Sequence, residues 1–271
     1  MENQATGELN VTRVPADLAW HALDGNTVAG EVRVWRRPDG RNRLFFDAWR
    51  LDAYRPLADA VAREIGQDLY TTLDDAEFDA LEACAKAGFT VYRRESNYRL
   101  PTDPARTGLT ESAAPLPPGI AVISAYDAEL DRLRLLDDDL RQDVPGTDGW
   151  RWDPEGFRSE TFGRGYDPET YLIAVDQSSG QYTGLVRVRN TRGGPRLAMM
   201  ASRAPYRRRG ITRALLRQAF QVVHERGQRH AIAEADDENE ASVTLLRSLG
   251  AARTGGSVEL IRRVSAEGLP R

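Results

Sequence analysis

One cysteine, Cys84, in 271 residues leaves no partner for an internal disulfide. With histidine limited to His21, His224 and His230, scattered along the chain, no structural metal site is expected. Cys84 falls on an apolar helical pattern and reads as a packed, inert thiol. No apolar stretch approaches the ~20 residues needed to span a bilayer, and the amino terminus, MENQATGELN, is polar. Neither a membrane helix nor a signal peptide is expected, and the expected location is the cytoplasm. Lysine is nearly missing as well: of 37 basic residues only Lys86 is one, a bias of genome composition that says nothing about a site. A formal net charge of -4 provides no broad basic field, which excludes general nucleic-acid affinity.

What the chain does have is 41% hydrophobic content, enough for the cores of two ordinary domains. After a loose tail at residues 1–8, short alternating runs at 10–14, 28–36 and 43–50 read as antiparallel strands. A helix follows at 55–65, then a strand at 68–73, a helix at 75–87 and a strand at 89–100. Prolines at 101, 104, 115, 117 and 118 mark 101–118 as a semi-extended linker. Beyond it come a strand at 120–124, helices at 128–140 and 150–162, strands at 171–176, 182–190 and 196–202, a helix at 211–226, a strand at 230–235, a helix at 239–249 and a strand at 252–263. The expected domains are therefore 9–100 and 119–265. Asp74-Asp75 precedes Gly88 by the interval at which Asp236-Asp237 precedes Gly250, and this common offset through strand, helix and strand reads as a tandem duplication.

The halves differ at one turn. Pro205-Tyr206-Arg207-Arg208-Arg209-Gly210-Ile211-Thr212 lies between an apolar strand pattern and an amphipathic helix pattern. Free N–H groups and the helix dipole make such a start an anion site, where glycine permits close approach and arginines supply charge-assisted donors. The first half enters its helix through Tyr54-Arg55-Pro56-Leu57, where proline removes a donor.

The hexapeptide Arg207 to Thr212 resembles the acyl-CoA pyrophosphate loop of the GNAT N-acetyltransferase superfamily: Arg or Gln, two variable residues, Gly, one variable residue, then Gly or Ala. Thr212 departs from the last position. Asp237-Glu238-Asn239 leading to Leu249-Gly250 is similar to the family's second block. The resemblance implies a tandem GNAT arrangement of mixed α/β (α+β) class: two domains, each a twisted, largely antiparallel mixed sheet flanked by helices, the first a degenerate copy without a CoA loop. It implies a sheet splayed between its fourth and fifth strands and acetyl-CoA as acyl donor, with no metal. Backbone groups of Met200, Ala201 and Ser202 would meet pantetheine, and the N–H groups of Arg209, Gly210, Ile211 and Thr212 the pyrophosphate. Arg207 and Arg208 would add charge, and Asn239 would contact the cofactor arm or simply cap its helix. Leu246 stands where many members carry the tyrosine that protonates the departing thiolate.

Transfer to an amine requires a neutral nucleophile. Glu234 and Asp236 alternate on one strand and face the same way, and Glu234 is the candidate base, directly or through water, against the alternative of a salt bridge. Tyr166, Tyr171 or Tyr206 would serve as alternative proton donors to the thiolate. Thirteen acidic residues against six arginines between Asp127 and Glu169 point to a small cationic amine acceptor or else to a solvated helix face, and Trp150, Trp152 and Phe157 to stacking on an organic cation or to packing. The expected activity is direct acetyl transfer to a primary amine of a small molecule. A noncatalytic acyl-CoA-binding protein and a protein N-acetyltransferase are the alternatives, and a homodimer is left open.

Overall fold

A computed structural model describes residues 9–15 and 17–264; the tail expected at 1–8 lies outside them. Two compact units form. One takes the chain up to Glu95 and again from Gly255 onward, and the other is Ser96–Thr254.

In the first unit, strands β1 (Asn10–Arg13), β2 (Ala19–Asp24), β3 (Thr27–Arg36) and β4 (Asn42–Ala48) are followed by helix α1 (Tyr54–Ile65), β5 (Leu69–Asp74) and α2 (Phe78–Lys86). The sequence reading found three strands before α1 and missed β2, whose six residues alternate only weakly between Trp20 and Leu23. The meander β1 to β4 is antiparallel, whereas β4 and β5 run parallel, as an intervening helix requires. On α1 the buried residues Leu57, Ala58 and Val61 form one stripe. They pack with Cys84 of α2 on Val32, Leu44 and Leu69 of the sheet. Burial pushes the Cys84 thiol up to about 12, in keeping with an inert packed side chain. Trp35 and Phe45 on the other sheet face are half exposed, with no helix packed on that side among the described residues.

The second unit contains β7 (Ile120–Ser124), α4 (Leu130–Arg141), α5 (Pro154–Thr161), β8 (Tyr171–Asp176), β9 (Tyr182–Thr191), β10 (Gly194–Ser202), α6 (Ile211–Glu225), β11 (His230–Asp236) and α7 (Glu240–Ser248). The sequence reading starts α5 four residues early; Asp153 caps it by accepting the Gly156 N–H at 2.8 Å, and Pro154 occupies the first turn, where its missing donor costs nothing. Helices α6 and α7 bury Leu215, Ala219, Phe220 and Leu246 on one sheet face. Helices α4 and α5 bury Leu133, Leu136, Leu140 and Phe157 on the other. Covered on both faces, β9 is buried from Tyr182 through Val188, as a central strand must be.

Two strands depart from the expected division. The last strand, β12 (Ala252–Arg262), pairs antiparallel with β5 from Ser257↔Asp74 to Arg262↔Leu69 and places Val258 and Leu260 in the first core. Conversely β6 (Thr90–Pro101) runs from Ser96 on in the second unit as the neighbour of β11, with Tyr98 and Leu100 in its core. Each half of the sequence thus supplies the closing strand of the other half's unit. Nor is 101–118 an open linker: it holds a one-turn helix α3 (Pro104–Thr107) and buries Leu109 and Ala114 against α6 and α7. Prolines stop regular structure there but do not prevent packing.

Candidate functional site

Strands β10 and β11 run parallel, as a strand–helix–strand connection demands, yet they pair only at Arg196↔Ile232 and Leu197↔Ala233. A bulge between Leu197 and Met199 in the register with β9 sits where that pairing ends. From there the two strands part, and Met200, Ala201 and Ser202 present β10 backbone to the opening instead of to β11. An extended ligand carrying amides can pair with a strand edge of this kind.

Beyond β10 the chain makes one tight turn, Ala204–Tyr206, and then bends sharply. Arg208 has φ 61° and Gly210 φ 85°. Gly210 is the cap residue of α6, with no side-chain cap bond. The first cap-to-helix bond joins the Ala214 N–H to the Gly210 carbonyl at 3.0 Å. The amides of Ile211, Thr212 and Arg213 therefore lie in the unpaired first turn, at the positive end of a 15-residue helix. An added Cβ on Gly210 meets nothing within 4 Å, so the space over the turn is open to an anion. Ile211, 1% exposed, anchors the turn in the core. Thr212, the sequence's departure from Gly or Ala, has its Oγ1 2.9 Å from Ser202 Oγ, so its side chain is tied to the end of β10.

The loop's arginines are partly engaged. The Arg207 Nε donates to the Ser202 carbonyl at 3.2 Å while its Nη2 pairs with Asp143. Arg209 lies over the Tyr206 ring at 5.3 Å. The Tyr206 hydroxyl donates to Asp176 Oδ2 at 2.8 Å. That carboxylate is held down to about 2 by hydrogen bonds from Ser178 and then Tyr206, and the Tyr206 phenol is pushed up by the same bond. Tyr206 is thus committed to Asp176, which removes it as a ready proton donor to a thiolate. Tyr171, buried, is pushed up to about 12 by desolvation, and Tyr166 is raised for the same reason.

The sequence profile of the Acetyltransferase (GNAT) family matches residues 133–251. That segment belongs to the GNAT family. Solved structures match over nearly the whole chain. A GCN5-related N-acetyltransferase from Sphaerobacter thermophilus shares 19% identity, with 92% of this chain and 81% of that one covered and a TM-score of 0.71. A tandem GNAT protein from the clavulanic acid biosynthesis pathway shares 16%, covering 92% and 83%, at 0.65. A GCN5-related N-acetyltransferase from Kribbella flavida shares 13%, covering 92% and 88%, at 0.58. Identities this low speak for the fold. No curated protein matches the sequence.

Within the GNAT unit the remaining sequence candidates fall as follows. Asn239 caps α7, its side chain accepting the Ser242 N–H at 3.1 Å, which is the capping alternative. Leu246 is fully buried in the α6–α7 core. Glu234 is ion-paired, its Oε2 taking Arg196 at 2.7 Å, which is the salt-bridge alternative; Asp236, next on that strand face, accepts the Glu238 N–H at 2.8 Å and shapes the turn into α7. Four carboxylates of the acidic stretch, Asp137, Asp138, Asp139 and Asp143, are paired within the protein. Asp137 meets Arg141 and Arg187. Asp138 meets Arg134 and the Trp152 N–H. Asp139 meets Arg151 and Arg203, and Asp143 meets Arg207. Burial and the adjacent Asp137 charge hold Asp138 above the usual carboxylate range. Three of these partners, Arg187 of β9, Arg203 just past β10 and Arg207 of the loop, lie outside the acidic stretch and were invisible in a composition count of it because they require the fold. Trp152 packs edge-on to Trp150 and Phe157.

The first unit has the same parting of strands, with β4 and β5 paired only from Asn42↔Leu69 to Leu44↔Thr71. There Phe46 stacks on Tyr54 at 4.7 Å and meets Phe89 edge-on at 6.2 Å, placing aromatic rings on the strand just past the parting. Its helix starts after Ala53, with no glycine cap and no side-chain cap bond.

Proposed function

We propose that the second unit binds acetyl-CoA and transfers the acetyl group directly to a primary amine of a small molecule. The carrying observation is the conjunction of a β10–β11 parting that begins after two paired residues with a glycine-capped, outward-facing helix start at its end. Pantetheine would lie along Met200, Ala201 and Ser202, and the pyrophosphate would take the N–H groups of Arg209 to Thr212, with Arg207 and Arg208 adding charge. Ser202 and Thr212 hold these two segments together. The neutral amine nitrogen attacks the thioester carbonyl, the C–S bond breaks as the tetrahedral intermediate collapses, and the nitrogen's proton leaves to Glu234 or to water. The thiolate takes its proton from water, since Leu246 offers none. The pairing of Asp137, Asp138, Asp139 and Asp143 with arginines weakens the case for a strongly cationic acceptor, and the proposal rests on the amine. The first unit serves as a structural copy without a CoA site, its aromatic rings Phe46 and Tyr54 standing where the second unit is open.

A second reading, an acyl-CoA-binding protein without turnover, is favoured by the burial of Leu246 and the Arg196–Glu234 pair. One experiment separates them. The protein is mixed with acetyl-CoA and a panel of polyamines, aminosugars and amino acids, and free CoA thiol is measured. Amine-dependent release establishes the transferase; tight CoA binding with no release on any amine establishes the binding protein.

A further inference from the structure

A cavity of about 300 Å³ lies apart from the CoA loop, lined by Ser96 and Tyr98 of β6, Asp237, Val243 and Arg247 of α7, Ala251 and Arg253. None of these residues belongs to β10 or to the 203–212 segment. The cavity exists because β6, from Ser96 on, occupies the slot beside β11. Its charges are unevenly satisfied. The Arg253 Nε donates to Ser96 Oγ at 3.1 Å, and Ser96 Oγ donates to Asp237 Oδ1 at 2.6 Å, so one guanidinium and one carboxylate are linked through a hydroxyl. Arg247 has no hydrogen-bond or ion-pair partner among the described residues. The surrounding Tyr98, Val243 and Ala251 give an apolar side.

We infer that this cavity is a second ligand site, for a small oxyanion, carboxylate or phosphate, with one apolar flank, whose charge Arg247 takes. A guanidinium fork matches both oxyanions in two parallel bonds, and the volume is at the small end of ligand pockets. The site goes beyond the proposed transferase function and does not depend on it. It has a physical route to the CoA loop: Arg247 adjoins Ser248, whose Oγ accepts from Arg213 Nη1 at 3.2 Å, and Arg213 is in the first turn of α6.

Calorimetric titration of the full chain with inorganic phosphate, acetate and benzoate tests the site, repeated on Arg247→Gln, Arg253→Gln and the loop variant Gly210→Val, and on the wild type saturated with CoA. Saturable binding of at least one probe is expected, at least tenfold weaker in Arg247→Gln and weaker in Arg253→Gln, but retained in Gly210→Val and with CoA present. No saturable binding overturns the proposal, as does equal affinity in Arg247→Gln. Loss in Gly210→Val with retention in Arg247→Gln places the anion on the loop instead, and displacement by CoA assigns Arg247 to CoA's own phosphates. Either result also overturns the second site. Arg247 is exposed, so its variant keeps the core; thermal denaturation confirms that before titration.

Discussion

At the scale of single residues, Gly210 carries the most weight. Its φ of 85° lies in the region that L-residues avoid, and a side chain there would project into open space, where the pyrophosphate of the proposed function would approach. Gly210→Val combines strain with obstruction. Gly210→Asn, which tolerates left-handed backbone better, leaves mainly obstruction. Both are expected to weaken CoA binding by tenfold or more in calorimetry, about 1.4 kcal/mol or beyond, with Asn the smaller loss of thermal stability. Full affinity in Gly210→Asn would remove the loop from the CoA site. Thr212 shows how a mismatch in a motif is absorbed: its hydroxyl bonds to Ser202, which ties the first turn of α6 to the end of β10. This residue-level accommodation depends on a partner ten positions away across the parting of the strands, and a pattern of glycines alone does not reveal it.

At the scale of elements, α6 is held at both ends. Its start is fixed by Ile211, its end by Arg226, which pairs with Asp167 and Glu169. Asp167 is 6% exposed and also accepts the Glu169 N–H at 3.1 Å and the Asn190 Nδ2 at 3.2 Å. Burial works to raise its carboxyl, but Arg226 and these N–H donors prevail and hold it below the usual carboxylate range. A group whose pKa is lower folded than unfolded contributes stability above the unfolded value and loses it as pH falls through the folded one. Asp167→Asn should therefore cost about 2 kcal/mol in urea denaturation at pH 7, and the gap to wild type should close as the pH is taken below about 4. A gap unchanged with pH would mean that Asp167 acts by shape and not by charge. The elements themselves were largely legible, because α1 and α6 show clean 3.6 periodicity with a glycine at one end and the central strands of the second half are near-continuous apolar runs. What escaped was pairing. The acidic run 137–143 left a cation surface and a solvated helix face both open because three of its arginine partners, Arg187, Arg203 and Arg207, lie 50 to 64 positions beyond the carboxylates they meet, and Glu234 was left between base and salt bridge because only the register of β10 with β11 brings Arg196 beside it.

At the scale of the whole molecule, the strand exchange decides which unit a substitution weakens. Periodicity identifies 89–100 and 252–263 as strands, but two closing strands of a duplicated chain have the same pattern, and sequence cannot say which sheet each joins. Leu260 is 4% exposed among α1, α2 and β5 residues, although it lies almost at the end of a chain whose second half it follows directly. Leu260→Ala removes buried methyl groups and should cost about 2–4 kcal/mol. Hydrogen exchange should show that loss in β3, β4 and β5, some two hundred residues earlier, with β8, β9 and α6 keeping their protection. Leu216→Ala on α6, fully buried in the second core, should do the reverse. If Leu260→Ala instead loosened β8 to β10 and spared β3 to β5, the last strand would belong to the unit encoded beside it, and the exchange of β6 and β12, together with the cavity that β6 lines, would have to be abandoned.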